Sequence, residues 1–195
     1  MPKRFLLGIA AALLLPSPAA AQPRPVPAQP RPVPAQPTPV PAQPTQGDLA
    51  ETASDLAYRV CPLFLAGRFP LTAPVLAERG FGTAIQKRDH PSFGELQTVS
   101  ARRSDGEISF GGLPGKVCVV VATGGKREAA LAKLRGNMFA TGFAFEPVPH
   151  SGPEFPDMTI ETFRAPVQGH AIYLQLIQAR GATPSVTAQI FALAK

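Results

Sequence analysis

Proline dominates the stretch from Gln22 to Thr45, and this composition restricts the fold more than any other feature of the chain. The motif AQPRPVP occurs twice from Ala21, followed by AQPTPVP and a truncated AQPT, so ten residues of the stretch are proline. Proline donates no backbone hydrogen bond and holds φ near −65°, which is incompatible with helix interiors and sheet ladders. We therefore predict that residues 22–46, the Pro-rich segment, form a disordered polyproline-II arm of up to roughly 70 Å that lies outside any core.

Two interpretations of the Pro-rich segment remain open. The first is a solvated tail that keeps the following domain away from membranes and from other copies. The second is a docking arm for a proline-recognising groove or, through Arg24 and Arg31, for an anionic cell-wall polymer. The later repeats carry Thr where the first two carry Arg, so the arginines give the second interpretation little support.

The residues before the Pro-rich segment have the layout of a secretory signal peptide. Lys3 and Arg4 give a positive start, Phe5 to Leu15 form an apolar run, and small residues precede the bond after Ala21. The apolar run is shorter than the ~20 residues that a membrane-spanning helix needs, and a retained anchor is the alternative. We predict cleavage after Ala21, which leaves a periplasmic or secreted protein that does not span the membrane.

Residues 47–195 have the usual length of a single domain. The chain contains twelve Phe, no Trp and two Tyr, and its apolar content is sufficient for a packed core. Four cationic residues and no acidic residue precede residue 47, so the domain keeps only about +2 of the formal net charge of +6. This small charge argues against a nucleic-acid partner, which would select clustered Lys and Arg. The pairs Arg102-Arg103 and Lys126-Arg127 lie close to acidic residues and are expected to be solvated.

Cys61 and Cys118 are the two cysteines of the chain, and both lie in this domain. Export to an oxidising compartment favours a disulfide between them. No C-x-x-C motif is present that would indicate a redox or metal site. We therefore predict a structural disulfide that restricts the unfolded chain.

Three helices are predicted in the domain. Asp48 has the form of a helix cap, and apolar residues then recur at helical spacing until Pro62 kinks or ends the first helix. The second and third helices both end at a Gly-Phe pair, in which glycine supplies a left-handed stop. The predicted helices begin at Asp48, Thr72 and Gly125 and end near Gly67, Gly80-Phe81 and Gly142-Phe143.

The strands are predicted in runs rather than in alternation with helices. Ser104-Asp105-Gly106 separates two extended runs and is typical of a hairpin turn. Residues 117–122 are apolar on both faces, which indicates a central strand. The predicted order of helices and strands in the domain is ααβββαββββ, which indicates an α+β fold with an antiparallel sheet. A fold of two halves, each a helix followed by a meander, is the alternative. The predicted strands are 95–103, 107–110, 117–122, 143–148, 159–164, 170–179 and 185–193, with a further short strand near 83–86 and a loop over 111–115.

Three features of the domain resemble a group of small exported proteins of alphaproteobacteria with one cysteine pair and no assigned activity. They are the Leu- and Ala-rich helix with Cys61-Pro62-Leu63, the Leu-Ala-x-x-Gly-Phe stop at Leu76 to Phe81, and the sequence Lys116-Val117-Cys118-Val119. The resemblance covers about residues 49–143 and does not include the Pro-rich segment. It implies a bacterial periplasmic protein and no particular chemistry.

Two glycine-rich stretches invite a comparison with phosphate-binding loops. Gly111–Lys116 contains Gly-Lys, but Val117 stands where a P-loop has Ser or Thr, and a strand rather than a helix follows. Thr123–Lys126 lies between a strand and a helix, where helix-start amides can hold an anion. Because two glycines also simply allow a turn, we assign no cofactor site.

Catalytic and metal-binding patterns are weak throughout the domain. His90, His150 and His170 have neither the i, i+4 nor the alternating spacing that presets a metal site. No GxSxG or SxxK motif is present, and Ser151-Gly152 beside His150 is typical of a surface turn. The acidic residues Glu95, Glu107 and Glu161 fall at strand positions that are predicted to face solvent, so no carboxylate pair can be argued.

The sequence therefore favours a non-catalytic exported accessory or binding protein of the cell envelope, with an envelope protein or a cell-wall component as its partner. No catalytic, metal-binding or cofactor-binding residue is assigned. The alternative is a small periplasmic enzyme that acts on glycan or peptide bonds, with its residues dispersed in sequence. A delivered effector or inhibitor is a third hypothesis.

Overall fold

The computed structural model describes residues 48–149, 155–167 and 170–193. The predicted signal peptide, the Pro-rich segment, His150 and Ser151-Gly152 lie outside the described residues. Within them, no helix is long and apolar enough to cross a membrane.

The first helical region runs past Pro62 by widening one turn. Helix α1 (Leu49–Asp55) continues into a π-helical turn (Leu56–Val60) and then into α2 (Cys61–Leu65). Proline lacks an N–H and crowds the carbonyl four residues earlier. In the wider turn the N–H of Cys61 bonds to the carbonyl of Leu56, five residues before it. The predicted kink at Pro62 is therefore a change of helical pitch.

Helix α3 (Pro74–Glu78) ends as its sequence indicates. Gly80 has φ 80°, and the N–H of Phe81 bonds back to the carbonyl of Leu76 at 2.9 Å. Phe81 is buried beyond this stop. The left-handed glycine thus turns the chain and directs an apolar residue into the core.

Eight described strands form one antiparallel sheet in the order β1-β2-β3-β4-β8-β7-β6-β5. Each run of four consecutive strands is preceded by a helical region, and the last strand of each run, β4 or β8, lies at the centre of the sheet. The predicted α+β class with an antiparallel sheet is confirmed. The strands are β1 (Gln86–His90), β2 (Gly94–Arg103), β3 (Gly106–Leu113), β4 (Val117–Thr123), β5 (Glu146–Val148), β6 (Met158–Val167), β7 (His170–Ala179) and β8 (Ser185–Leu193), with helix α4 (Arg127–Asn137) and a 3-10 turn (Met138–Thr141) between β4 and β5.

The helices cover one face of the sheet, which we call the helix face. Alternate residues of β4 and β8 point into the main core together with the apolar side of α1 and α4. The Cys61–Cys118 disulfide joins α2 to β4 within this core, so the predicted pairing is confirmed. Tyr58 donates a buried hydrogen bond to the carbonyl of Leu134 at 2.6 Å, which holds the two helical regions together.

Two details of the predicted strands are wrong. Gly111, Gly112 and Leu113 were expected in a loop but belong to β3, and the turn to β4 occupies only residues 114–116. Glu161 was expected to face solvent but lies on the helix face, where Arg135 of α4 pairs with it, Nε to Oε2 at 3.0 Å. In both cases strand pairing outweighed local composition, because neighbouring strands extend the ladder through glycine and set which face each residue occupies.

Candidate functional site

The face of the sheet opposite the helix face, which we call the open face, carries a second apolar cluster. Leu96, Val117, Val119 and Phe191 are buried in it, with Phe93, Leu113 and Tyr173 packed around them. None of the helical regions described in the structure contributes a residue to this cluster. The apolar character of β4 on both faces, which the sequence indicated, therefore serves two separate surfaces.

Aromatic rings mark one end of the open face. The ring of Tyr173 stacks on that of Phe191, with centroids 5.5 Å apart and an interplanar angle of 13°, and the centroid of Phe93 lies 5.7 Å from that of Phe191. His90 lies 5.0 Å from Phe93. We call Phe93, Tyr173 and Phe191 the aromatic end.

This end of the sheet bends toward the open face. Phe93 directly precedes β2, which is separated from β8 by β3 and β4. With strands about 4.8 Å apart, three spacings place β2 and β8 roughly 14 Å from one another in a flat sheet. Ring contact between Phe93 and Phe191 therefore requires that the β1–β2 turn curl over the face.

Gly111 and Gly112 permit this bend. Their φ angles of 155° and 138° lie in the region that side chains with a Cβ rarely adopt. A Cβ on Gly111 would stand 2.0 Å from the carbonyl oxygen of Gln97, and a Cβ on Gly112 would stand 2.1 Å from that of Val117. The backbones of β2, β3 and β4 can approach closely here only because both positions lack a side chain.

A line of uncharged polar residues crosses the open face beside the aromatic end. Strand register links Thr98 through β3 and β4 to Gln189, then Gln175, then Thr162, so these four, which we call the polar row, share one face. Thr98 is 2% exposed and Gln189 is 5% exposed. Gln175 donates to Thr162 across a long 3.4 Å contact.

Thr98 stands out in the polar row because its hydroxyl has no hydrogen-bond partner among the described residues. Buried polar groups almost always have such a partner. Farther from the aromatic end on the same face, the Ser100 and Ser109 hydroxyls form a hydrogen bond with each other at 2.7 Å. The open face thus places aromatic rings next to amide and hydroxyl groups. Phe191, Gln189 and Thr98 are buried in it. The half-buried side chains of Phe93, Tyr173 and Gln175 are the part that an extended, uncharged ligand can contact.

Two of the three histidine candidates, His90 and His170, lie in the part of the chain that the structure describes, and neither is shown bonded to a carboxylate or a serine hydroxyl there. Nδ1 of His90 accepts the backbone N–H of Ser92 at 3.1 Å, which makes it part of the β1–β2 turn. His170 begins β7 and is exposed. In the described ranges, no three His, Cys, Asp or Glu residues are grouped as metal ligands.

The anion-loop candidate, Thr123–Lys126, lines a shallow, open depression with the β2–β3 hairpin. Two amides at this helix start are already used: the N–H of Lys126 donates to the carbonyl of Asp105, and that of Arg127 to the carbonyl of Gly124. Asp105 is also among the residues that line the depression. The helix-start amides of Lys126 and Arg127 are therefore not free to hold an anion.

The carboxylate of Asp105 has a structural function at the start of α1. Its Oδ2 accepts the N–H of Leu49 at 2.8 Å, so it caps α1 together with Asp48. Arg103 lies nearby with its guanidinium donating to the carbonyl of Arg79 at 3.1 Å. Burial lowers the pKa of Arg103, while the charges of Asp105 and Asp48 act in the opposite direction. This cluster ties the start of α1 to the hairpin.

The remaining carboxylate candidates also have structural partners. Glu95 pairs with Lys87 at 2.9 Å, and both side chains are well exposed. Glu107 faces Arg102 at 3.8 Å. These two carboxylates lie on different strand pairs and form no acid–base couple.

Comparison of the chain with protein-family models, with curated proteins and with solved structures finds no match. The open face was not identified from sequence, although one signal was present. In the strand over 170–179, Tyr173 and Gln175 are two residues apart and therefore lie on one face of the sheet. Leu174 and Leu176 alternate with them and lie on the helix face.

Proposed function

We propose that this chain is a non-catalytic exported binding protein of the cell envelope, and that the open face is its contact surface. One observation carries the proposal: the aromatic end lies beside the polar row on one face of the sheet. No residue of the described helices belongs to the apolar cluster on that face. The half-buried members of this face, Phe93, Tyr173 and Gln175, provide aromatic and amide contact area on a rigid sheet at low entropic cost. The ligand is an envelope protein or a cell-wall component.

Export is part of the proposal. A signal peptide over residues 1–21, removed after Ala21, would deliver the Pro-rich segment and the domain over 47–195 to the periplasm or the medium. The Cys61–Cys118 disulfide supports this, since such bonds persist in oxidising compartments. We also propose kinship with the small exported alphaproteobacterial proteins that the sequence resembles.

Binding is favoured over a small envelope enzyme by the surroundings of the histidines. Catalysis on glycan or peptide bonds would need a histidine that meets a carboxylate or a serine hydroxyl in one cleft. Among the described residues, His90 bonds only to a backbone amide and His170 shows no such contact.

Site-specific photocrosslinking in living cells tests the contact surface. We would place a benzophenone amino acid at position 173 on the open face, and in a matched control at Phe139, an aromatic residue that is 68% exposed on the turn after α4. We expect a discrete adduct from position 173 and none from position 139. Adducts from 139 alone, or the same adducts from both, would contradict the proposal.

A substitution experiment complements the crosslinks. Gln175→Ala removes an amide of the polar row, which is half-buried and not part of the apolar cluster, so the fold should persist. We expect recovery of the partner captured at position 173 to fall while the melting temperature changes little. Full recovery with Gln175→Ala and with Tyr173→Ala would exclude the open face as the binding surface.

A further inference from the structure

We infer that one end of the domain docks on the surface of anionic lipid membranes. This surface, which we call the basic end, is formed where the end of α2 meets the β3–β4 turn, and its members are Arg59, Leu63, Arg68 and Lys116. The inference goes beyond the proposed function and does not rest on it, because the basic end and the open face share no residue. The contact is peripheral: side chains of the basic end reach the lipid headgroups and the first acyl carbons.

Backbone hydrogen bonds hold the members of the basic end together. After α2 the chain turns through a left-handed glycine, and the N–H of Arg68 bonds back to the carbonyl of Leu63 at 2.9 Å. This stop places Arg68 beside the turn of helix that carries Leu63. The N–H of Gly115 donates to the carbonyl of Leu65 at 3.0 Å, which holds the β3–β4 turn, and with it Lys116, against the end of α2.

The basic end contains cations and lacks acidic residues. Residues 56–77 and 108–127, the two segments that meet there, contain no Asp or Glu. Arg68 and Lys116 are exposed, and neither has an ion-pair partner among the described residues. The side chain of Arg59 is 85% exposed and lies 3.6 Å from Asp55, and such an exposed pair is weak. The charge of this surface is therefore complementary to that of an anionic one.

An apolar side chain lies among these cations. Leu63 is 44% exposed and is one of four large apolar side chains that the described structure leaves exposed. The half-buried residues Pro62, Leu65 and Phe143 line a small apolar cavity beside it. Apolar side chains gain free energy when they enter the boundary between headgroups and acyl chains. A soluble polyanion would contact the cations alone, so the combination favours a membrane.

The expected binding is electrostatic in large part. Each Lys or Arg near an anionic bilayer strengthens binding about fivefold, so three cations together strengthen it on the order of 100-fold. Salt should weaken the attraction, because the Debye length falls from about 10 Å at 0.1 M to about 3 Å at 1 M. Phe191 of the aromatic end pairs with Val117, which directly follows Lys116, so docking would hold the open face beside the membrane.

Vesicle flotation tests this docking with the disulfide-bonded chain that begins at Gln22. The vesicles contain phosphatidylcholine alone or together with about 30% phosphatidylglycerol. We expect binding to the anionic vesicles at about 0.1 M salt, and binding at least about tenfold weaker to the neutral vesicles or at about 1 M salt. Equal binding to both kinds of vesicle, or binding to neither, overturns the inference.

Matched substitutions assign the binding to the basic end. Arg68→Gln with Lys116→Gln should weaken binding to anionic vesicles about 25-fold, because two of the three cations are lost. The control, Lys126→Gln with Arg180→Gln, removes two exposed cations at the opposite end of β4 and should change binding less than about twofold. Leu63→Ala should weaken binding about fivefold through the lost apolar area. Thermal unfolding followed by circular dichroism verifies that each variant is folded.

The outcomes distinguish a membrane from other anionic partners. Equal losses in the two double variants would mean that a basic chain is attracted without a defined surface, which overturns the inference. Soluble polyglutamate that binds as tightly as the vesicles, with no effect of Leu63→Ala on either, would assign the basic end to a polyanion and also overturns it. The crosslink from position 173 tests the proposed function separately, since none of the substituted residues lies in the aromatic end or the polar row.

Discussion

Reduction of the Cys61–Cys118 disulfide should destabilise the domain by a predictable amount. The bond closes a loop with a sequence separation of 57 residues. In the loop-entropy model such a constraint lowers the conformational entropy of the unfolded chain enough to stabilise the folded state by about 4 kcal/mol at 25 °C. Total stabilities of single domains are only about 5–15 kcal/mol, so this one bond supplies a large fraction.

The structure adds a reason to expect the full effect. Both sulfur-bearing residues are completely buried in the main core, and the bond joins α2 to the central strand β4. Reduction therefore frees the helical region from the sheet while two thiols remain inside the core. In a domain of this size we expect the melting temperature to fall by about 8–16 °C.

Urea unfolding with and without dithiothreitol measures the effect, with circular dichroism as the signal. The matched control is the double variant Cys61→Ala, Cys118→Ala, whose unfolding should resemble that of the reduced protein and should not respond to dithiothreitol. An unfolding midpoint of the native sequence that does not change on reduction would refute the loop-entropy argument for this domain.

Three further predictions concern single residues. Gly112→Val should cost about 3 kcal/mol of stability through its clash with β4 and its positive φ, whereas Gly181→Ala, in open space, should be neutral in the same urea titration. Asp48→Ala should cost about 1 kcal/mol in thermal unfolding, since its carboxylate caps two amides of α1, and an unchanged melting temperature would contradict this role. Burial raises the pKa of Tyr58, so the unfolded chain ionises first and stability should fall as pH rises above about 10. Urea midpoints at pH 9 and pH 11 should therefore differ less in Tyr58→Phe than in the native sequence, and an equal difference would contradict the assignment.

Local chemistry made several elements predictable from the sequence. The Asp48 cap was predictable because its carboxylate accepts hydrogen bonds from the amides of Ala50 and Glu51, only two and three residues ahead in the sequence. The Gly80-Phe81 stop and the Asp105-Gly106 turn likewise depend on neighbours within a few positions. The expectation of export, together with the count of two cysteines, was sufficient to predict the disulfide. In all these cases the interacting groups are close in sequence, or there is a single possible partner.

The tertiary structure decided which residues meet on the open face. Alternation along β7 indicates that Tyr173 and Gln175 share a side, but not which side the helices cover. The pairing of β4 with β8, far apart in sequence, brings Phe191 next to Val117 and aligns Thr98 with Gln189. A strand pattern with a period of two is the same for a covered face and an open one, and only the packing of distant segments distinguishes them.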